Sequence, residues 1–344
     1  MKRSTVHQAQ SRTPRPADNQ WDLRSLIVQK IKKKGGWVNA HNHLDKAYLI
    51  TPADLGLAYS TLTTKWGLID QMKQEWTVDE IYDRMAFGIE KQIAQGVSVV
   101  CTFIDVDPLI KDKAMTAGQK VRERYKDHLT LLFANQTVKG VLEPKAREWF
   151  DVAAEFVDII GGLPYRDVGH EAEHLDVLLS TAKHYNKLVH VHVDQRNLPE
   201  EKETELLVTK TKEHLMQNKV VAVHAISVAA QSQKYRTKLY KDMVDNGVMV
   251  IACPTAWIDH QRNETLMPFH NAVTPVDEMI PAGVTVAIGP DDIADYYKPF
   301  TDGDMWTELR FLIESCHFYE VDELVNIATN NGRKVLGLPI KVTG

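Results

Sequence analysis

Cysteine is scarce in this chain: the three present, Cys101, Cys253 and Cys316, are far apart and form no C-x-x-C pair. Their spacing excludes a disulfide framework and a thiolate zinc site, and it suits a reducing compartment. No run approaches the roughly 18 consecutive apolar residues of a membrane span, and the charged start at Met1, Lys2 and Arg3 is not followed by the apolar stretch of a signal peptide. A cytoplasmic protein is the expectation. An excess of either charge is also missing, since 41 Lys and Arg face 46 Asp and Glu for a formal net charge of −5. Without a basic surplus, nucleic acid and membrane surfaces are poor partners. The expected partner is a small-molecule substrate, and composition leaves a homo-oligomer open. Residues 1–20, which include Ser11, Pro14, Pro16 and Asp18, lack the apolar content to order themselves and read as a flexible tail.

The remainder, 21–344, reads as one domain of ordinary globular composition, 44% hydrophobic and 25% charged. Trp21, Leu23, Leu26, Ile27 and Ile31 recur at helical spacing, and Lys32, Lys33 and Lys34 before Gly35 and Gly36 suit a helix end. Eight short β-rich runs follow, at 37–41, 97–104, 129–133, 157–160, 188–192, 220–224, 248–252 and 284–288. Amphipathic stretches lie between them, and one opens with a capping-box pair, Thr77 and Glu80. Strand and helix in alternation predict a (β/α)8 barrel of TIM type. A doubly wound open sheet is the alternative, because periodicity does not report closure. The acidic stretch 199–205 reads as the solvated first turn of a helix.

Histidines and carboxylates recur where these runs end, the face on which barrel enzymes place their sites. His41 and His43 close the first run, two residues apart and so able to share a face and one ion. The fifth run supplies His190, His192, Asp194 and Gln195, the sixth His224, and the eighth Asp291 and Asp292. Nitrogen and oxygen donors without thiolates suit Zn2+ or Fe2+ with a position open for water. His190 reads as packing or as an outer hydrogen-bond donor. Lys46 meets either an anionic substrate group or a partner in a surface salt bridge. His128, His170, His174, His184, His214 and His317 fall in helices or loops and carry no assigned chemistry.

Val38 through Lys46, Val189 through Asp194, His224 through Ser227, Asp277 through Gly283 and Ile288 through Tyr296 together resemble the amidohydrolase superfamily, most closely its cytosine-deaminase-like branch. The likeness runs from Val38 to Leu338 and implies the same barrel. It also implies that His41, His43, His192 and Asp291 hold one divalent metal, that His224 hydrogen-bonds the metal-bound water, and that Asp291 doubles as proton acceptor. Asn135 or Gln136 stands where substrate-binding amides sit, and the third run offers no Lys or Glu to bridge a second ion. Trp257 and Tyr297 would line the pocket, and Asp292 touches substrate, or else faces outward or orients a neighbouring loop. Two departures stand out. The small β-sandwich that relatives build from their termini is expected to be absent or rudimentary, and Gln195 replaces the Glu that protonates the substrate ring in cytosine deaminases. An amide donates hydrogen bonds but does not exchange a proton near neutral pH. The expected activity is therefore metal-dependent hydrolysis of a non-peptide C–N bond in a small cyclic compound, with a cyclic amide favoured. The alternatives are deamination of a cytosine-like, triazine or pterin ring, and a catalytically silent metal- or ligand-binding protein.

Overall fold

The computed structural model describes residues 22–196, 198–256 and 273–341; the 1–20 tail and Trp257 lie outside them. Eight strands run in chain order around one sheet, β1 (Trp37–Asn42), β2 (Val97–Asp105), β3 (Thr130–Gln136), β4 (Ile159–Gly162), β5 (Leu188–Val193), β6 (Val220–His224), β7 (Met249–Ala252) and β8 (Val286–Ile288), each parallel to the next. Parallel strands covered by helices are buried on both faces, and every residue of β1, β4, β6, β7 and β8 is buried. Closure comes just past β8, where Asp291 bridges Asn42 in parallel and its N–H donates to the His41 carbonyl at 3.2 Å. Gly289 permits that approach, because a Cβ there would stand 2.3 Å from the His41 carbonyl oxygen. The seam decides for the barrel over the open sheet. No strand of the described residues lies outside it, and no described helix is long and apolar enough to cross a membrane.

Local chemistry sets the elements much as expected. The first helix, Leu23–Lys33, ends in two left-handed glycines, Gly35 and Gly36. The helix Val78–Ala94 has the full reciprocal capping box of Thr77 and Glu80. One strand is displaced from its expected span: β4 begins at Ile159, because Val157 caps the preceding helix and the Asp158 carboxylate accepts the Phe133 N–H at 2.7 Å. The stretch read as a solvated helix start is a correction. Glu201 and Glu203 are buried, and Asp194 and Glu203 bond each other's backbone, with the Glu203 N–H 2.7 Å from Asp194 Oδ1 and the Asp194 N–H 3.0 Å from Glu203 Oε2.

Alternate strand residues, among them Val99, Cys101, Phe103, Val221, Val223 and Ile251, cluster with Val335 and Leu336 in the barrel interior. A second apolar cluster joins the sheet to its helices. His190 belongs to the interior packing: its Nε2 lies 2.8 Å from the Val335 carbonyl. The opposite, C-terminal end of the barrel is polar, and the site lies there.

Candidate metal centre

At that end His41 from β1, His43 just after it, His192 from β5 and Asp291 after β8 bring one ligand atom each within 4.8 Å of one another, all four side chains buried. The register of β1 against β2 shifts between Asn39 and Asn42, the stretch that carries His41, with His43 just past the strand end. His41 Nε2 and His43 Nε2 lie 3.0 and 3.3 Å from Asp291 Oδ1, and His224 Nε2 lies 4.0 Å from the same oxygen. His192 Nδ1 meets the Gly162 carbonyl at 3.2 Å; donating there, it turns the Nε2 lone pair into the cluster, the orientation a metal-binding imidazole needs.

Burial pushes the imidazole pKa values down, to about 4 at His41 and His43, about 3 at His224 and well below 6.5 at His192. All four rings are therefore neutral at neutral pH. Burial pushes the Asp291 carboxyl up, but His224, His41, His43 and Lys298 outweigh it and hold the group well below the usual carboxylate range. Three neutral nitrogen donors and one carboxylate in a dry site are a donor set for a divalent cation. The buried Nδ1 atoms of His41 and His43 find no hydrogen-bond partner, so the protein alone does not satisfy these rings. The residues fit a divalent metal ion.

Backbone strain accompanies the chemistry. Asp194, His224 and Asp291 have φ of +51°, +75° and +62°, the left-handed region that side chains other than glycine seldom adopt. Thr274 Oγ1 donates to the His224 carbonyl at 2.6 Å, and the Ser227 N–H donates to the Asp194 carbonyl at 2.9 Å.

The remaining candidates separate. Gln136 is buried with its amide nitrogen 3.5 Å from His192 Nε2, so it faces the centre. Asn135 does not: its Nδ2 donates to the Gly161 carbonyl at 3.1 Å and its Oδ1 accepts the Gly161 N–H at 2.9 Å. That side chain extends a β3–β4 ladder whose backbone register has one pair, Ala134 with Ile159. Gln195 is buried just beyond β5, and Tyr297 is half-buried with its N–H on Asp295 Oδ1 at 2.8 Å. Lys46 is a correction: it is buried, not at the surface, and pairs with Asp105 at 3.1 Å. Asp292 is partly buried beside Asp291. Burial and then the neighbouring Asp295 and Asp291 push its carboxyl well above the usual range.

Sequence reasoning missed a set of charges beside the centre. Lys73 is fully buried between Asp105 and Asp107, at 2.6 and 2.8 Å. Lys298 is also buried, with Nζ donating to the Pro290 carbonyl at 2.9 Å and to Thr255 Oγ1 at 3.2 Å. Asp105 ends β2, so the strand-end criterion that picked out the histidines would have found it; no such signal marks Lys73 or Lys298. At the rim, the Arg166 guanidinium lies 4.1 Å from the Trp66 ring and that of Arg196 lies 3.8 Å from Tyr165.

Comparison with known proteins agrees with this geometry. The sequence profile of the Amidohydrolase family matches residues 35–342. An uncharacterized protein of Haemophilus influenzae is 53% identical over 263 residues, covering 75% of this chain and 95% of its own. The N-isopropylammelide isopropyl amidohydrolase of Pseudomonas sp. is 24% identical over 297 residues, covering 82% of this chain and 70% of its own. Among solved structures, 5-methylcytosine deaminase from Klebsiella pneumoniae, liganded with 5-fluorocytosine, superposes with a TM-score of 0.80 at 26% identity, covering 88% of this chain and 74% of that one.

Proposed function

The chain belongs to the amidohydrolase family, and from that premise we propose a mononuclear metal-dependent hydrolase that opens a C–N bond in a small cyclic amide. The observation that carries this reading is the convergence of three neutral imidazoles and one carboxylate within 4.8 Å at the mouth of the barrel. His41, His43, His192 and Asp291 would hold one Zn2+ or Fe2+. The ion, when bound, supplies Lewis-acid polarisation of the substrate and of the attacking water.

The protein's own groups then divide the work. Asp291 Oδ1 is crowded by the imidazoles, which leaves Oδ2 to take the proton of the attacking water and pass it to the departing nitrogen. Neutral His224 directs a ring N–H at the oxygen on which negative charge develops, and one preorganised donor of this kind is worth about 3 kcal/mol. Gln136 and Gln195 hold the ring by hydrogen bonds. Gln195 marks the substrate as an amide and not an amidine, because hydrolysis of a polarised carbonyl needs one shuttled proton, whereas an amino-substituted ring also needs an acid for its ring nitrogen.

A second reading, removal of an amino group from a heterocycle, is favoured by the names of the relatives, a 5-methylcytosine deaminase and an isopropylammelide amidohydrolase. Steady-state kinetics on cyclic amides and on aminated pyrimidines and triazines separates the two. We expect wild type to open amides and to deaminate poorly, and Gln195→Glu to lose amide hydrolysis while gaining trace deamination. Efficient deamination by wild type would overturn the amide reading. Absence of any chelator-sensitive turnover across the panel would favour a silent binding protein.

A further inference from the structure

The geometry points to Lys298 as a positioning residue for Asp291, acting through a buried clamp with Thr255 and Glu308. The inference rests on the reading of Asp291 as a metal ligand.

Lys298 is 3% exposed, and its ammonium is satisfied by two neutral oxygens, the Pro290 carbonyl at 2.9 Å and Thr255 Oγ1 at 3.2 Å. Burying an ammonium is costly, and although its charge acts on the nearby Asp291 and Glu308 carboxyls, its hydrogen bonds go to a backbone carbonyl and a hydroxyl. The hydrogen bonds run in one consistent direction. Lys298 donates to the Thr255 hydroxyl, which donates to Glu308 Oε1 at 2.7 Å, while the Thr255 N–H donates to Oε2 at 3.1 Å. Glu308 is itself buried on the helix Met305–Cys316. The clamp thus ties the loop after β7 and the turn after β8 to one helix. At its backbone end Lys298 is fixed by Asp295 Oδ1, which accepts its N–H at 2.9 Å.

The atom Lys298 holds gives the clamp its consequence. Pro290 and Asp291 share one peptide unit. Its carbonyl is held by Lys298 on one side, and its N–H is held by the His41 carbonyl on the other, at 3.2 Å. A peptide plane pinned at both polar atoms has no freedom to rotate, and Asp291 follows it in the left-handed region at φ +62°. A residue in that region persists only when its surroundings over-determine it. Releasing the carbonyl lets the plane turn and swings the Asp291 carboxylate away from the imidazoles.

The test uses Co2+ in place of the native ion, with affinity read by chelator competition and ligand geometry by the visible spectrum. We expect Lys298→Met to bind Co2+ about 10–100-fold more weakly, the range seen when groups orienting metal ligands are removed, with displaced absorption bands. With a turned-over substrate, kcat falls and KM holds. Thr255→Val, which keeps the ammonium and removes the hydroxyl, is expected to shift affinity and spectrum in the same direction by less, and Lys298→Arg to recover part of both. Wild-type affinity and spectrum in Lys298→Met overturn the inference. Should that variant fail to fold, Thr255→Val decides, and an unchanged affinity and spectrum there overturn it as well. Wild-type protein that takes up no Co2+ would instead sink the metal-site reading itself.

Discussion

Replacing Gly289 with alanine probes the barrel seam and the candidate centre together. A Cβ at 289 would stand 2.3 Å from the His41 carbonyl oxygen, 2.7 Å from its nitrogen and 2.9 Å from its Cβ. The two nearest are backbone atoms, so no side chain can turn aside to make room. Ordinary contact begins near 3.4 Å, and β8 must therefore move about 1 Å from β1. The bond that closes the barrel, from the Asp291 N–H to the His41 carbonyl, is already 3.2 Å long, and a further ångström takes it out of hydrogen-bond range. His41 and Asp291 stand on opposite sides of that seam with ligand atoms 3.0 Å apart. Overpacking of this kind costs about 1–3 kcal/mol of stability, and a 1 Å misplacement costs on the order of 10²-fold in rate. The assay is metal content by elemental analysis, melting temperature and kcat, with Gly67→Ala as control. Gly67 lies inside the helix Leu62–Glu75, where a Cβ would meet nothing within 4 Å, so alanine there should be neutral or stabilising by about 0.5–1 kcal/mol. Full metal content and wild-type kcat in Gly289→Ala would refute the reasoning.

Two further outcomes follow from the site and its surroundings. Purified protein should carry close to one equivalent of Zn2+ or Fe2+, and His192→Ala should lose the ion and the activity together; elemental analysis that finds full occupancy in the variant would remove His192 from the ligand set. Glu203 gives a pH test. Burial, then Asp194 and Glu201, raise its carboxyl from 4.5 to about 8, so between those values the folded protein keeps a proton that the unfolded chain has released. That contribution is complete below pH 4.5 and is lost as pH rises through 8. The melting temperature should therefore fall between about pH 4.5 and 8, and Glu203→Gln, neutral throughout, should flatten the decline; an unchanged slope in the variant would show that Glu203 does not cause it.

The barrel was legible because each parallel strand is a short apolar run and each helix has its own amphipathic period. Neither signal depends on the rest of the chain. The candidate ligands were legible for a related reason, since His41, His43, His192 and Asp291 fall where runs end, and the fold brings such ends to one face. Closure was not legible, because it rests on one glycine meeting one backbone carbonyl across the seam. The buried charges were misread in a consistent way. Lys46 and Glu203 look solvated in any local window, as lone charges usually are, but Lys46 is buried against Asp105 from β2, and Glu203 against Asp194 at the end of the preceding strand. Lys73 was passed over for the same reason: it sits on the helix Leu62–Glu75, and the carboxylates that neutralise it, Asp105 and Asp107, lie at and just past the end of β2.

Strain links these observations. In a strand, successive side chains alternate between faces, so a regular strand delivers only every second residue to the mouth. A left-handed residue at the strand end turns the chain abruptly and breaks that alternation. Asp194, His224 and Asp291 adopt it at the ends of β5, β6 and β8, each at a cost of about 1–3 kcal/mol. Each is offset by bonds from outside its own strand: Asp194 by the Glu203 and Thr204 N–H groups, the His224 carbonyl by Thr274, and the Asp291 peptide by His41 and Lys298. The positions of His224 and Asp291 are thus set by the folded backbone before any ligand arrives. Turns held in this way preorganise the candidate donors, and the bonds that hold them bear on the geometry of the candidate centre as directly as the donors themselves.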